Sequence, residues 1–253
     1  MRKSLGAVPL STLGYERQNN WAFNFDSKDE FIKELTNDQP EPPSYFAQMK
    51  KVNKTGLPEF KVKEVELESS KKLTGQIFDL RRKEAFKKGF VKGSINVPYN
   101  DKFLQFAGWY INYDEPMTII GNPDDSTSLQ KDLASIGFDN LELIISEEQA
   151  SQYFDASYEN ISPEEFVELY EDKKVLDVRS AAEYKDGNLS TAAHIHFGQL
   201  DNKDIPFNQD DTIFVHCQSG VRSAIAMSVL KARGFENVIN VEKGYAGIKA
   251  AMK

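Results

Sequence analysis

The residues best placed to do chemistry lie between Asp211 and Phe235. Thr212, Ile213, Phe214, Val215 and His216 make a β-branched and aromatic run that reads as a buried strand. Cys217, the single cysteine of the chain, comes next, and after it Gln218, Ser219, Gly220, Val221, Arg222 and Ser223. Ala224, Ile225, Ala226, Val229, Leu230 and Ala232 recur at helical spacing until Gly234 closes the helix. A thiol is therefore expected in a tight turn between a strand end and a helix start.

That placement has chemical consequences. The unpaired N–H groups and positive dipole end of a helix N-terminus favour a thiolate over a thiol. Successive backbone N–H groups in such a turn also form a nest for an anion. Gly220 allows the loop a positive φ. Arg222 brings a permanent charge and a planar fork suited to an oxyanion. A buried structural cysteine is the alternative reading of Cys217 alone. The turn, the glycine and the arginine favour chemistry.

The run from Cys217 to Ser223 resembles the active-site loop of rhodanese-type sulfurtransferases, Cys-x-x-Gly-x-Arg. The resemblance implies Cys217 as nucleophile and Arg222 as a catalytic partner. It implies Gln218, Ser219, Gly220, Val221 and Ser223 as the substrate-binding loop. Phosphatases that share the fold carry one more residue in this loop, whereas four residues separate Cys217 from Arg222 here. The smaller loop suits a sulfur atom better than a tetrahedral phosphate.

The reaction so implied is sulfane-sulfur transfer. The Cys217 thiolate takes the outer sulfur of thiosulfate or a low-molecular-weight persulfide, and a thiol, sulfite or cyanide then removes it. Covalent catalysis of this kind needs no general base. Two rivals stand beside it, a phosphatase of the same fold and a non-catalytic interaction module. No cofactor is expected in the chain itself.

Composition bounds the setting. The chain has 253 residues, 40% hydrophobic and 28% charged, with a net charge of -8, which argues against a general nucleic-acid binder. One cysteine excludes an internal disulfide and fits a reducing compartment. Three histidines without a His-x-His-x-Asp-His run leave no metal site expected. No stretch reaches the length of a membrane span. The basic start, Met1 to Leu10, has an apolar part too short and broken for a secretory signal. The expectation is a cytoplasmic protein without membrane partners. A homo-oligomer is compatible with it.

Residues 1–60 read as a helical arm packing on the rest of the chain. Trp21, Phe23 and Phe25 alternate as in a short strand. Ser27 to Glu30 has a capping-box pattern, with Phe31, Ile32 and Leu35 on one helical face beyond it. Asp38 to Pro43 breaks the chain, and a second helix is expected over Ser44 to Val52, ended by Gly56. Gly14-Tyr15-Glu16, Asp29 to Phe31 and Pro42 to Asn53 resemble the C-terminal tail of a metallo-β-lactamase-fold persulfide dioxygenase. In that family rhodanese modules often come after the tail. The resemblance implies that this chain is the back part of such a fusion. The iron and its histidine and aspartate ligands would then belong to an upstream dioxygenase domain that acts as a partner, and the physiological setting would be sulfide or persulfide detoxification.

From about Lys61 the chain repeats. Asp79 and Arg81 return as Asp177 and Arg179, Phe86 and Gly89 as Tyr184 and Gly187, and Asn96 to Pro98 as His194 to His196, each pair 98 residues apart. Gly137-Phe138 returns as Gly234-Phe235 at a spacing of 97. Each copy alternates strand and helix, so the expected fold is α/β with two rhodanese-like modules built on mainly parallel sheets. The domains are read as a tail at 1–60, a degenerate module at 61–156 and a catalytic module at 157–253. In the first copy the loop after the strand Met117 to Ile120 is Gly121-Asn-Pro-Asp-Asp-Ser126, without cysteine or arginine. Site residues rather than fold carry function, so this copy reads as structural, and the second is expected to work when cut free near Tyr158.

Three further candidates remain. Asp177 and Arg179 end a strand where a parallel α/β site opens, yet Asp79 and Arg81 repeat them in the inert copy, so a fold-stabilising pair is expected. His216 should point away from the thiol, because side chains alternate along a strand. His194 and His196 share a face of a strand-like segment but lack further metal ligands. The acidic run Glu64 to Glu68 reads as a solvated face.

Overall fold

The computed structural model describes residues 10–37, 39, 41–56, 59–67, 73 and 75–253. Residues 1–9 of the basic start, Asp38 and Pro40 of the proline-rich break, and Glu68 of the acidic run lie outside the described residues. The chain forms two compact units, divided between Pro40 and Glu41.

In the first unit, Thr12 caps the helix Leu13–Asn19 by accepting the Tyr15 N–H. Ser27 likewise caps the helix Lys28–Thr36. The strand expected at Trp21 to Phe25 is not formed. Trp21–Phe23 is a 3₁₀ turn, opened by the Asn20 side chain accepting the Ala22 N–H. With that local bond available and no neighbouring strand among the described residues, alternation alone does not make a strand. Trp21, Phe25 and Phe31 pack their rings together at 5.7–5.9 Å.

The second unit opens with the helix Tyr45–Thr55, which runs three residues past its expected end and is closed by Gly56 at φ 82°. The strands after it are β1 Gln76–Asp79, β2 Ile95–Asn96, β3 Met117–Ile120, β4 Leu141–Ile145, β5 Glu159–Ile161, β6 Lys174–Asp177, β7 Ala192–His194, β8 Ile213–His216 and β9 Val238–Val241. They form two sheets in the orders β2-β1-β3-β4 and β5-β9-β8-β6-β7, every pair parallel. The fold is α/β on parallel sheets, with a helical N-terminal region, as the alternating pattern implied.

The order β7-β6-β8-β9 repeats β2-β1-β3-β4, and Glu66 bridges to Leu143 on the outer edge of β4, where β5 lies beside β9. Capping boxes at Ser162 and Ser180 start the helices Pro163–Leu169 and Ala181–Asp186.

The two sheets share one core. Phe78, Phe86, Phe90 and Trp109 belong to the same buried cluster as Val178, Phe197, Ile225 and Met227. The helix Val221–Ala232 is buried from Ser223 to Lys231 and packs against β2 as well as β8 and β9. A helix apolar around its whole circumference requires cover on all sides, and the first half of the unit supplies the outer part. Across this seam the buried Asn96 N–H donates to Ser228 Oγ at 3.1 Å, and Lys92 pairs with Glu236. Among the described residues no helix is long and apolar enough to cross a membrane.

Candidate active site at Cys217

β8 is buried along its whole length and delivers Cys217 at its C-terminal end, 1% exposed. Gly220 then takes φ 92°, a left-handed conformation that a β-carbon would strain. This turn aims the Gly220 N–H at Cys217 Sγ, 3.1 Å away. The helix starts at Val221, so the sulfur sits at the N-terminus of a twelve-residue helix.

A second backbone clamps the loop from below. Tyr245 N–H donates to the Cys217 carbonyl at 2.7 Å and Ala246 N–H to the Gln218 carbonyl at 3.2 Å. This approach needs Gly244 at φ 56°, because a β-carbon there would collide with the Cys217 carbonyl oxygen. Both carbonyls are thereby satisfied by backbone donors.

Arg222 does not present an open fork. Its Nη1 and Nη2 donate to the two carboxylate oxygens of Glu183 at 2.6 and 2.7 Å. Glu183 also closes the capping box of its own helix, accepting the Ser180 N–H at 3.0 Å. The Arg222 hydrogen bond is the main cause that lowers the Glu183 carboxyl to about 2, aided by Ser180 and opposed by burial. Burial works against the Arg222 charge, but Glu183 and the neighbouring Cys217 outweigh it and raise its affinity for the proton. The pair joins two helices and holds a cation beside the thiol.

Arg179 is 2% exposed and fully committed. It grips Asp177 through Nε and Nη2, donates Nη2 to the Gly187 carbonyl at 2.7 Å, lies 4.0 Å above the Tyr245 ring, and reaches Gln218 Oε1 at 3.3 Å through Nη1. Arg81 repeats this geometry with Asp79, the Gly89 carbonyl and the Phe154 ring, but its Nη1 meets Glu147. The repetition where there is no thiol marks the Asp–Arg pair as a fold element. Of the two, only Arg179 also steadies the Cys217 loop, through Gln218.

The histidines separate. His216 lies under the loop, its Nδ1 3.3 Å from the Cys217 carbonyl, its Nε2 3.9 Å from Asp177 Oδ2, and its ring stacked on Tyr245. Burial lowers its pKa despite Asp177. His194 meets the Arg179 carbonyl at 2.8 Å and stacks on Tyr184. His196 packs between Trp109 and Phe197, and burial pushes it down to about 4. Among the described residues no three metal-ligating side chains gather.

Ser219 and Val221 are exposed at the mouth, Gln218 is half-buried, and Ser223 is buried with no partner for its hydroxyl among the described residues. A pocket of about 590 Å³ flanks the loop on the Gln218 side, walled by Arg179, Glu183, Tyr245 and Lys249, but not by Cys217. Sequence reasoning missed Glu183, Gly244 and Tyr245 as site residues. In the sequence Glu183 carries only a helix-capping pattern, Ser180-Ala-Ala-Glu183.

After β3, Asn122 caps a 3₁₀ turn Pro123–Asp125 ahead of the helix Ser126–Ser135. The strand-turn-helix form is kept without thiol or cation.

Known proteins share parts of this chain. Residues 162–251 match a rhodanese-like domain. The putative sulfurtransferase YtwF of Bacillus subtilis is 34% identical over 80 residues, which are 32% of this chain and 77% of that protein. The putative sulfur carrier protein YrkF of the same organism is 36% identical over 92 residues, 35% of this chain and 50% of that protein, so the chain spans about half of that relative. A crystal structure of a metallo-beta-lactamase from Staphylococcus aureus is 42% identical, with a TM-score of 0.47, over 57% of this chain and 42% of that one.

Proposed function

The chain belongs to the rhodanese-like family, and from that premise we propose that it transfers sulfane sulfur through a persulfide on Cys217. The observation that carries this reading is the Gly220 N–H held 3.1 Å from Cys217 Sγ at the head of a buried helix. The names of the relatives, one a putative sulfurtransferase and one a putative sulfur carrier, support it.

The thiolate attacks the outer sulfur of thiosulfate or a low-molecular-weight persulfide. The sulfur–sulfur bond of the donor breaks, and sulfite or a thiolate leaves with the electron pair. Cys217 then carries one extra sulfur with a negative charge, which the loop N–H groups and the helix dipole stabilise. An acceptor thiol, sulfite or cyanide attacks that terminal sulfur and returns Cys217 as thiolate. Glu183 keeps Arg222 beside the sulfur, and Arg179 holds the loop through Gln218.

In the same reading residues 61–156 are a degenerate copy of the catalytic module 157–253. The loop from Gly121 to Ser126 and the repeated strand order support this. The motifs before Asn53 support a place behind a persulfide dioxygenase domain, in cytoplasmic sulfide or persulfide detoxification, with the iron chemistry outside this sequence.

The test is intact mass after incubation with thiosulfate or a small persulfide. A gain of one sulfur, about 32 Da, reversed by dithiothreitol, is expected for a reducible cap on a reactive thiolate. The single cysteine assigns the adduct to Cys217. A mass that moves with no donor favours the interaction-module alternative. Turnover of an aryl phosphate would favour the phosphatase, against which the four-residue spacing argues.

A further inference from the structure

The loop that holds Cys217 is not built by the second copy alone. Lys83, at the first position of the helix Lys83–Phe86 in the first copy, places its Nζ 3.7 Å from where a β-carbon on Gly220 would stand. Gly220 is the residue whose N–H touches the sulfur. Lys83 is half-buried, and among the described residues no ion pair or hydrogen bond engages its ammonium.

The helix that carries it is fixed by packing. Phe86, one turn on, is fully buried and stacks on Phe90 at 4.1 Å within the shared core. The neighbouring cations are differently placed. Arg222 is engaged by Glu183 and Arg179 by Asp177, while His196 is held neutral by burial. Glu41, the acidic group facing His196, accepts the Ala181 N–H. Lys83 therefore carries a positive charge that no carboxylate among the described residues pairs with, beside the residue whose N–H touches the thiol.

We propose that the first copy completes the Cys217 site, with Lys83 binding the negative end of an incoming small anionic sulfur donor such as thiosulfate. The substrate class rests on the proposed sulfur-transfer function, whereas the cation beside Gly220 does not. The catalytic centre is then composite, with the nucleophile from one copy and the anion-binding lysine from the other.

The test uses the full chain and two alkylating reagents of similar size, anionic iodoacetate and neutral iodoacetamide, acting on the single cysteine. Lys83→Met should slow iodoacetate roughly three- to tenfold, the size expected of one partly screened charge contact. Iodoacetamide should stay within about twofold, since it has no charge for the lysine to attract. Lys83→Arg should restore the iodoacetate rate, and added salt should shrink the wild-type preference. With thiosulfate, Lys83→Met should raise KM by a similar factor and leave kcat nearly unchanged. Equal slowing of both reagents, no change in either, or a wild-type thiol that reacts with neither overturns the proposal. A chain that shows the iodoacetate effect but never gains sulfur keeps the lysine's role and defeats the sulfur-transfer reading instead.

Discussion

Arg222 and Glu183 are joined by two parallel hydrogen bonds of 2.6 and 2.7 Å, so the arginine of the Cys217 loop is held by a carboxylate from another helix. A bidentate fork sets orientation as well as charge. The arginine therefore acts as a strut of the site, with its charge retained beside the sulfur.

Glu183→Ala should release that strut and half of a capping box at once. A loss of about 1–3 kcal/mol in stability is expected from the broken charged hydrogen bonds and cap. Sulfur transfer should fall with it. Arg222→Lys keeps the charge but loses the fork, and should lower transfer in the same direction. Urea unfolding together with thiosulfate turnover measures both, and a Glu183→Ala chain as stable and active as wild type would remove the strut.

Acid should weaken the fold in two stages. His196 is pushed from 6.5 to about 4 by burial, so the unfolded chain binds its proton first as pH falls. Its contribution is complete above about 6.5 and is lost progressively towards 4. His216, lowered by burial as well, acts in the same direction. Glu183, lowered from 4.5 to about 2 by Arg222, contributes fully above 4.5 and loses that contribution between 4.5 and 2. A urea midpoint that falls below pH 6.5, and falls less steeply in His196→Gln, is the expected outcome.

Cys217→Ser should abolish sulfur transfer and leave the fold in place, because the hydroxyl is nearly the same size and cannot form a persulfide. Turnover at background with an unchanged circular dichroism spectrum is expected. Retained turnover would contradict the assignment.

Gly244→Ala should disturb the loop without touching any reactive group. The new β-carbon meets the Cys217 carbonyl oxygen, and the backbone stands at φ 56°. A cost of about 1–3 kcal/mol is expected from strain and overpacking, with a drop in transfer as the loop shifts. Melting temperature and turnover should fall together.

Residues 158–253 alone should be far less stable than the intact chain. Cutting there removes Phe86, Phe90, Trp109 and Val97 from the cluster that covers Phe197, Ile225 and Met227. Each uncovered large apolar side chain costs about 1.5–3 kcal/mol. Turnover by a folded remnant should show a raised KM for thiosulfate, since Lys83 is gone. A fragment that melts with the intact chain would mean that the seam contributes nothing.

The features legible in the sequence were local. Strand, thiol, glycine and helix succeed one another from Ile213 to Gly234, and periodicity with the turn residue is enough to place them. Capping boxes at Ser162 and Ser180 formed because each needs only residues three apart. The 98-residue register announced two similar sheets. Trp21 to Phe25 misled because a short alternating run becomes a strand only beside another strand, and Asn20 offered a turn instead.

Tertiary structure decided the partners. Nothing near Arg222 in the chain points to Glu183, nor does anything near Gly220 point to Lys83, which follows β1. A half-buried charge has the same local pattern as a solvated one. Its partner is chosen when two sheets close on one core and bring distant helix ends together.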